Sequence, residues 1–490
     1  MRLISSLLVF QLGFIIFGYG LNIPFNLNIE ELKSIESSYN YNTILNKLQE
    51  YFRKNNDQES ISHYTTLDKQ DWPINLEQYK DFQIIRFWLN SDNIEISQKL
   101  LKKYEHWEIN NEFFDLKIDL ISKNQIIKDY PNLKFDIIID DLAQSIYETY
   151  PSLPQQHQKQ DQFQINKDQD FHTQSDIFFK EYRPLSTIYA WLDILKETYP
   201  DLVEIEWLGQ SYEGRDLKAV HLSSPTGLNP TKKTIVMTAG VHAREWISVS
   251  TVLFTIYQLL NKYGSNKKET EFLNKLDFLI IPVFNPDGYE YTWTTDRLWR
   301  KNRQETYIPR CFGIDIDHSF GYHWSRSEDF PCGESYSGEL EFEAMEAANL
   351  DNYINVTKND HEIYGFLDFH SYTQKILYPY AYSCDELPRD LENLLELSYG
   401  LSKSIRLKSG KHYEVLPACK DRGVDLLPGL GAGSSLDYMY HNRAHWAFQL
   451  KLRDTGSHGF LLPSNYIKPV GREIYSAVRY FCKFIINPDS

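Results

Sequence analysis

Three runs along this chain are apolar on both faces: Thr234-Ile235-Val236-Met237-Thr238-Ala239, Phe278-Leu279-Ile280-Ile281-Pro282-Val283-Phe284 and Gly365-Phe366-Leu367-Asp368-Phe369-His370. A strand with two greasy faces must be covered on both, so these read as central strands of a sheet lying between helices. Ile247 to Leu260 is a strong helix candidate between the first two. Alternating buried strands and helices demand an α/β domain with a mixed or parallel central sheet flanked by helices. Sites in such sheets lie at the carboxyl ends of strands. His242 and His370 are both expected just past such ends.

The chain has 490 residues, comfortable for two domains. Upstream of the sheet runs, Phe82–Leu89 reads as a strand and Ile94–Tyr104 as an amphipathic helix. Phe114–Leu120 and Asp136–Ile139 read as further strands, and Asp141–Tyr147 as another helix. This order suggests a small open α/β sandwich. A helical stretch is expected around Leu45–Phe52. Residues 151–175 are rich in Gln and Asp and contain no glycine, so they read as an exposed linker. It is either a cleavable activation segment, with Lys159 and Lys167 as cut sites, or a plain spacer. Met1-Arg2 followed by the apolar run Leu3–Phe17 and small residues reads as a secretory signal over 1–20. The expected organisation is therefore signal 1–20, N-terminal extension and small domain 21–150, linker 151–175 and main domain 176–490. After signal removal no membrane span is expected, and the route leads to secretion or a vacuole. The single sequon, Asn355-Val356-Thr357, fits that route as a glycosylation site. The net charge of −16 argues against nucleic acid, which needs clustered Lys and Arg. Five cysteines on a secretory route suggest disulfides with one thiol left over.

His242-Ala243-Arg244-Glu245 lies between a strand and a helix, and His370 ends a later strand. Two histidines and one carboxylate leave a fourth tetrahedral position open, the layout of a catalytic zinc site. A His-x-x-Glu pair alone is more often a solvated helix start.

Larger motifs narrow this. Gly240-Val241-His242-Ala243-Arg244-Glu245-Trp246-Ile247 resembles the zinc-binding signature of the secreted A/B-type metallocarboxypeptidases. So do Ser211-Tyr212-Glu213-Gly214-Arg215, Asn285-Pro286-Asp287-Gly288, Asp296-Arg297-Leu298-Trp299-Arg300-Lys301, His370-Ser371-Tyr372 with Leu377-Tyr378-Pro379-Tyr380, and Gly459-Phe460-Leu461-Leu462-Pro463. The resemblance runs from about Tyr182 to the C-terminus, and the domain before the linker resembles the family's activation domain. It implies one zinc ion held by His242, Glu245 and His370, with Asp315 orienting the first histidine. It implies that Arg244, Arg300, Tyr372 and Phe460 belong to the substrate cleft. Leu436 falls where the family sets side-chain preference. Cys311 and Cys332 match a family disulfide, and Cys384 and Cys419 resemble a second bridge seen in some relatives. Cys482 is left as a buried core thiol.

Three departures stand against activity. Phe448-Gln449-Leu450-Lys451-Leu452-Arg453-Asp454-Thr455-Gly456 matches the run in which the family carries its catalytic glutamate, and Lys451 stands in the glutamate's place. A carboxylate can take a proton from attacking water; an ammonium has no acceptor. Losing such a base costs roughly 10²–10⁴-fold in rate. Second, the Asn-Arg pair that anchors a substrate's terminal carboxylate is replaced by Asp317-His318, which cannot copy an arginine fork. Third, the place of a capping tyrosine falls on Gly429. The charges at the first two positions are reversed in sign, so either Asp317 or a neighbouring carboxylate pairs with Lys451, or the two changes are independent drift. The pattern most resembles the fungal inactive metallocarboxypeptidase-like proteins, whose association with cell-wall organisation is implied by resemblance alone. The expectation is a single-chain pseudoenzyme that binds a peptide, a protein or a wall component. The alternative is a working carboxypeptidase with another base and altered C-terminal specificity.

Overall fold

This computed structural model describes residues 74–151, 175, 177–225, 232–421 and 431–487. The signal segment, the Leu45–Phe52 stretch, nearly all of the linker with Lys159 and Lys167, and Gly429 lie outside the described residues.

The N-terminal domain runs β1 (Phe82–Trp88), α1 (Ile94–Lys103), β2 (His106–Ile109), β3 (Phe113–Asp119), α2 (Leu120–Asp129), β4 (Phe135–Ile139) and α3 (Leu142–Tyr147). Its four strands pair antiparallel in the order β2-β3-β1-β4. Alternation sorts its side chains to two faces. Ile85, Phe87, Phe114, Leu116 and Ile118 join Leu100, Leu101 and Ile126 in a core of the domain's own. Ile84, Trp107 and Ile139 belong instead to the large core of the second domain. Strand β2 and helix α2 were not expected from sequence. β2 is only four residues long, and its ladder to β3 shifts register between His106 and Glu108.

The second domain contains α4 (Leu185–Thr198), β5 (Val203–Gln210), β6 (Asp216–Leu222), β7 (Lys233–Ala239), α5 (Trp246–Lys262), α6 (Lys267–Lys275), β8 (Leu276–Ile281), α7 (Pro286–Thr294), α8 (Met345–Val356), β9 (Glu362–Ser371), β10 (Lys375–Tyr378), α9 (Leu391–Ser409), β11 (Glu414–Pro417), α10 (Ala418–Asp421), α11 (Ser435–Asn442), β12 (Trp446–Leu452) and α12 (Ile467–Ile486). Eight strands form one sheet in the order β11-β10-β12-β9-β7-β8-β6-β5. The neighbours β12, β9, β7 and β8 run parallel, whereas β10 on β12 and β6 on β8 are antiparallel. The sheet is thus mixed, with the three doubly apolar runs at its centre. Its helices bury apolar faces on it: α5 is buried through almost its whole length, and α12 turns Val470, Ile474, Val478, Phe481 and Ile485 inward. Disulfides join Cys311 to Cys332 and Cys384 to Cys419, and Cys482 is a free buried thiol. No helix among the described residues is long and apolar enough to cross a membrane.

The N-terminal sheet docks on the second domain through polar contacts as well as the shared core. The Tyr79 hydroxyl donates to Asp296 (2.6 Å), and Tyr150 donates to the Thr292 carbonyl (2.8 Å). Arg86 forks onto buried Asp115 (2.7 and 2.8 Å) and donates to the Thr455 carbonyl (3.1 Å). Burial works against the Arg86 charge, but Asp115 outweighs it and holds the guanidinium above its usual range. Gly456 allows this approach: with φ at 122°, a Cβ built there would lie 2.2 Å from Arg86 Nη2. Removing one partner of a buried pair strands the other charge. Arg86→Met is expected to cost about 3–5 kcal/mol, read as a lowered midpoint in the first urea transition. A loss below about 1 kcal/mol, the range of exposed pairs, would show that the pair is not sealed from water.

Candidate metal centre

The chain from β7 to α5 turns sharply at Gly240, where φ is 64° and the Val249 side chain leaves no room for a Cβ. That turn places His242 and Glu245 directly before the first residue of α5. His370 comes from the last two residues of β9, the strand paired with β7, rather than from beyond its end. His242 Nδ1 lies 2.8 Å from Glu245 Oε1 and 3.1 Å from His370 Nδ1, and His370 Nδ1 lies 3.1 Å from Glu245 Oε2. All three side chains are buried.

The outer nitrogens each face a second carboxylate. His242 Nε2 meets Asp315 Oδ1 at 3.1 Å, and His370 Nε2 meets Asp368 Oδ2 at 2.9 Å. A carboxylate accepts, so with a metal on the two Nδ1 atoms each Nε2 would keep its proton and donate it to Asp315 or Asp368. Two Nδ1 atoms and the Glu245 carboxylate converge in a buried space that a cation between them would fill. Two nitrogens on one zinc at about 2.0–2.1 Å stand roughly 3.3 Å apart, close to the observed separation. The donor set therefore fits a divalent metal with an open position. Asp315 is itself clamped by Arg300 Nη2 at 2.8 Å, in the loop bracketed by Cys311–Cys332.

Strand register carries Lys451 into the same cavity. In β12, Lys451 pairs with His370 and Gln449 with Asp368. Lys451 Nζ is bound by Glu108 of β2, whose two oxygens lie at 2.8 and 3.0 Å. Asp421 Oδ2 is 2.7 Å away on the other side, and its second oxygen takes Lys375 Nζ at 2.6 Å. Burial alone would strip the Lys451 charge, but Asp421 and Glu108 outweigh it and hold the ammonium above its usual range. Burial raises Asp421 too, yet Lys451 and Lys375 hold it down at about 2. Burial pushes the Glu108 carboxyl up, with Lys451 opposing. The expected partner Asp317 is not the one: Asp317 Oδ1 accepts from Ser435 Oγ at 2.8 Å, and the Lys451 pairs among the described residues are with Glu108 and Asp421. The reason is geometric, since Asp317 is tied to the Ser435–Asp368 side of His370. His318 turns Nδ1 to the Ala432 carbonyl at 3.1 Å and keeps Nε2 3.7 Å from Asp315.

The remaining cleft residues also face the N-terminal domain. Tyr372 donates its hydroxyl to Asp115 at 2.5 Å. Arg244 donates to the Glu334 carboxylate (3.1 Å) and the His106 carbonyl (3.4 Å). Phe460 packs on Trp107 with ring centroids 5.1 Å apart. Leu436 is fully buried. Asn355 is exposed at the end of α8. What remains open beside the metal ligands is a cavity of about 80 Å³, lined in part by His106, Trp107 and Glu108. Ligand pockets for small molecules run to hundreds of cubic ångströms, so a peptide end does not fit beside the seated domain.

Sequence reading missed Glu108, Asp421 and Asp368. Asp368 had a signal: two residues before His370 on one strand, it shares a face with it. Glu108 and Asp421 had none, because neither follows from any local pattern.

The sequence profile of the zinc carboxypeptidase family matches residues 188–477. The chain is 56% identical over 419 residues to the inactive metallocarboxypeptidase ECM14 of Saccharomyces cerevisiae, covering 84% of this chain and 94% of that protein. It is 38% identical over 407 residues to the inactive metallocarboxypeptidase ecm14 of Sclerotinia sclerotiorum, covering 78% and 68%. Among solved structures, thrombin activatable fibrinolysis inhibitor superposes with a TM-score of 0.72 at 25% identity, covering 83% of this chain and 99% of that one. The carboxypeptidase A of Helicoverpa armigera shares the fold, with a TM-score of 0.68 at 21% identity and coverage of 83% and 97%.

Carboxylates behind metal-bound histidines set metal affinity. Asp315→Asn and Asp368→Asn are each expected to weaken zinc binding by about 10–100-fold in chelator competition, and His370→Ala to abolish stoichiometric uptake. Full affinity in both Asn variants would show that the outer carboxylates do not hold the imidazoles.

Proposed function

From the premise that this chain belongs to the zinc carboxypeptidase family, we propose that it is a zinc-binding pseudopeptidase of the secretory route, whose cleft binds and no longer cuts. Zinc, when held by His242, Glu245 and His370, supplies a Lewis acid at the cleft floor. Hydrolysis also needs a proton acceptor beside it. The observation that carries this reading is the clamp on Lys451: its ammonium is fixed between Glu108 and Asp421 and held in its charged form. A cation so held cannot take a proton. Neither Asp317 nor His318 is placed as a substitute, since Asp317 is bound by Ser435 and His318 by a backbone carbonyl and Asp315. The anchor for a substrate's terminal carboxylate lacks its arginine, so loss of binding compounds loss of the base. The names of the two relatives, which call those proteins inactive, support the same reading. Two disulfides support an oxidising compartment, outside the cell or in a vacuole. A part in cell-wall organisation rests on family resemblance.

Zinc-loaded protein, with its linker cut, is expected to release no C-terminal residue from a panel of peptides with varied ends, followed by mass spectrometry. Turnover that disappears in His242→Ala would overturn the proposal. Lys451→Glu is expected to stay inert as well, because it sets three carboxylates against Lys375. That crowding is expected to cost about 3–5 kcal/mol of stability, measured by urea unfolding.

A further inference from the structure

Without the N-terminal domain, the ionic cluster in the cleft is one anion short. Lys375 and Lys451 share the single carboxylate of Asp421, and Glu108 supplies the second. Two ammonium groups then meet two carboxylates, largely shielded from water, where an unmatched charge is costly. The fit is chemical as well as electrostatic. Both Glu108 oxygens lie within hydrogen-bond reach of one Nζ. The preceding residue, Trp107, is buried against Phe460 and over Gly459, where an added Cβ would come within 3.1 Å of its ring. The register shift between His106 and Glu108 spoils strict alternation in β2 and lets both Trp107 and Glu108 line the cavity. One strand further in, Asp115 takes the Tyr372 hydroxyl. The groups that resemblance assigns to substrate thus hold an acidic strand of the same chain.

We propose that Lys451 has made this cleft a receptor for a carboxylate carried on a strand next to an aromatic residue, and that its resident ligand is the N-terminal domain, which stays seated after the linker is cut. The domain is then a permanent subunit, and cutting the chain between 152 and 174 changes covalent connectivity without opening the cleft. The proposal rests on the pseudopeptidase reading, because a cleft that must admit substrate cannot keep its occupant.

The experiment is a full-length chain with one engineered protease site in the linker, cut and then passed through gel filtration at 0.15 M salt. The two wild-type fragments are expected to co-elute at micromolar concentration. Truncating or reversing one partner of a buried, hydrogen-bonded charge pair weakens association by roughly 30-fold to several thousand-fold, so the fragments of Glu108→Lys are expected to separate. The swap Glu108→Lys with Lys451→Glu restores two charges of each sign and is expected to rejoin them. Near-UV circular dichroism of each uncut variant checks its fold, and Glu108→Gln, which keeps the shape and removes the charge, is expected to weaken association in the same direction. Wild-type fragments that separate, Glu108→Lys fragments that hold as tightly as wild type, or a swap that fails to rejoin would each overturn the proposal. Peptide hydrolysis by the same cut sample is a separate readout: it would sink the pseudopeptidase reading, whereas loss of co-elution without hydrolysis sinks only the receptor.

Discussion

The ammonium of Lys451 sets the terms for the rest of this protein. It stands one strand from a histidine of the candidate metal site, lining the same cavity and largely shielded from solvent, where an unmatched charge is costly. The chain matches it twice, with Asp421 from its own domain and Glu108 from the N-terminal one. Each match has a structural consequence. Asp421 also holds Lys375 on the neighbouring strand, tying the cluster into the sheet. Glu108 brings an edge strand, with Trp107, into the cavity beside the candidate metal ligands.

Burial decides what this cluster is worth. Exposed ion pairs contribute little, and a buried pair is no sure gain over an apolar one of the same shape. What a buried pair does impose is a penalty for separation, since each departing charge leaves its partner unsolvated. The interface is built of such contacts: Lys451 with Glu108, Tyr372 with Asp115, and Arg86 reaching the Thr455 carbonyl. Around them the apolar core runs unbroken from Ile84 and Trp107 into the large sheet. Specific polar pairing fixes how the domain sits, and the shared apolar face supplies the adhesion.

The candidate metal site is braced independently of Lys451. Both histidines keep a carboxylate behind them, the carboxylates are themselves held by Arg300, Thr238 and Ser435, and a disulfide closes the loop that carries Asp315. A cage so braced can hold an ion without any turnover to maintain it. The candidate ligands and Lys451 are carried by different elements, so either can change without the other. The candidate ligands lie in the turn between β7 and α5 and at the end of β9, and Lys451 lies in β12.

Much of this was legible in the sequence. Two-sided apolar runs require a covered sheet whatever the tertiary arrangement, so the mixed α/β core followed from residues 234–239, 278–284 and 365–370. His242, Glu245 and His370 were legible through motif and strand-end position, and Lys451 through the run around it. The sequence alone determined that a lysine stands in this run, where the resemblance led us to expect a carboxylate. Only the tertiary structure decided what neutralises that cation. Asp317, near the metal ligands in the aligned motif, was the expected partner, while the actual ones are far away in the chain: Glu108 on a four-residue strand with a broken register, and Asp421 on a short helix. Local pattern reports which face a side chain takes; it carries no information on which distant face folds against it, because that is settled by packing two sheets together and by the need to leave no charge unmatched between them.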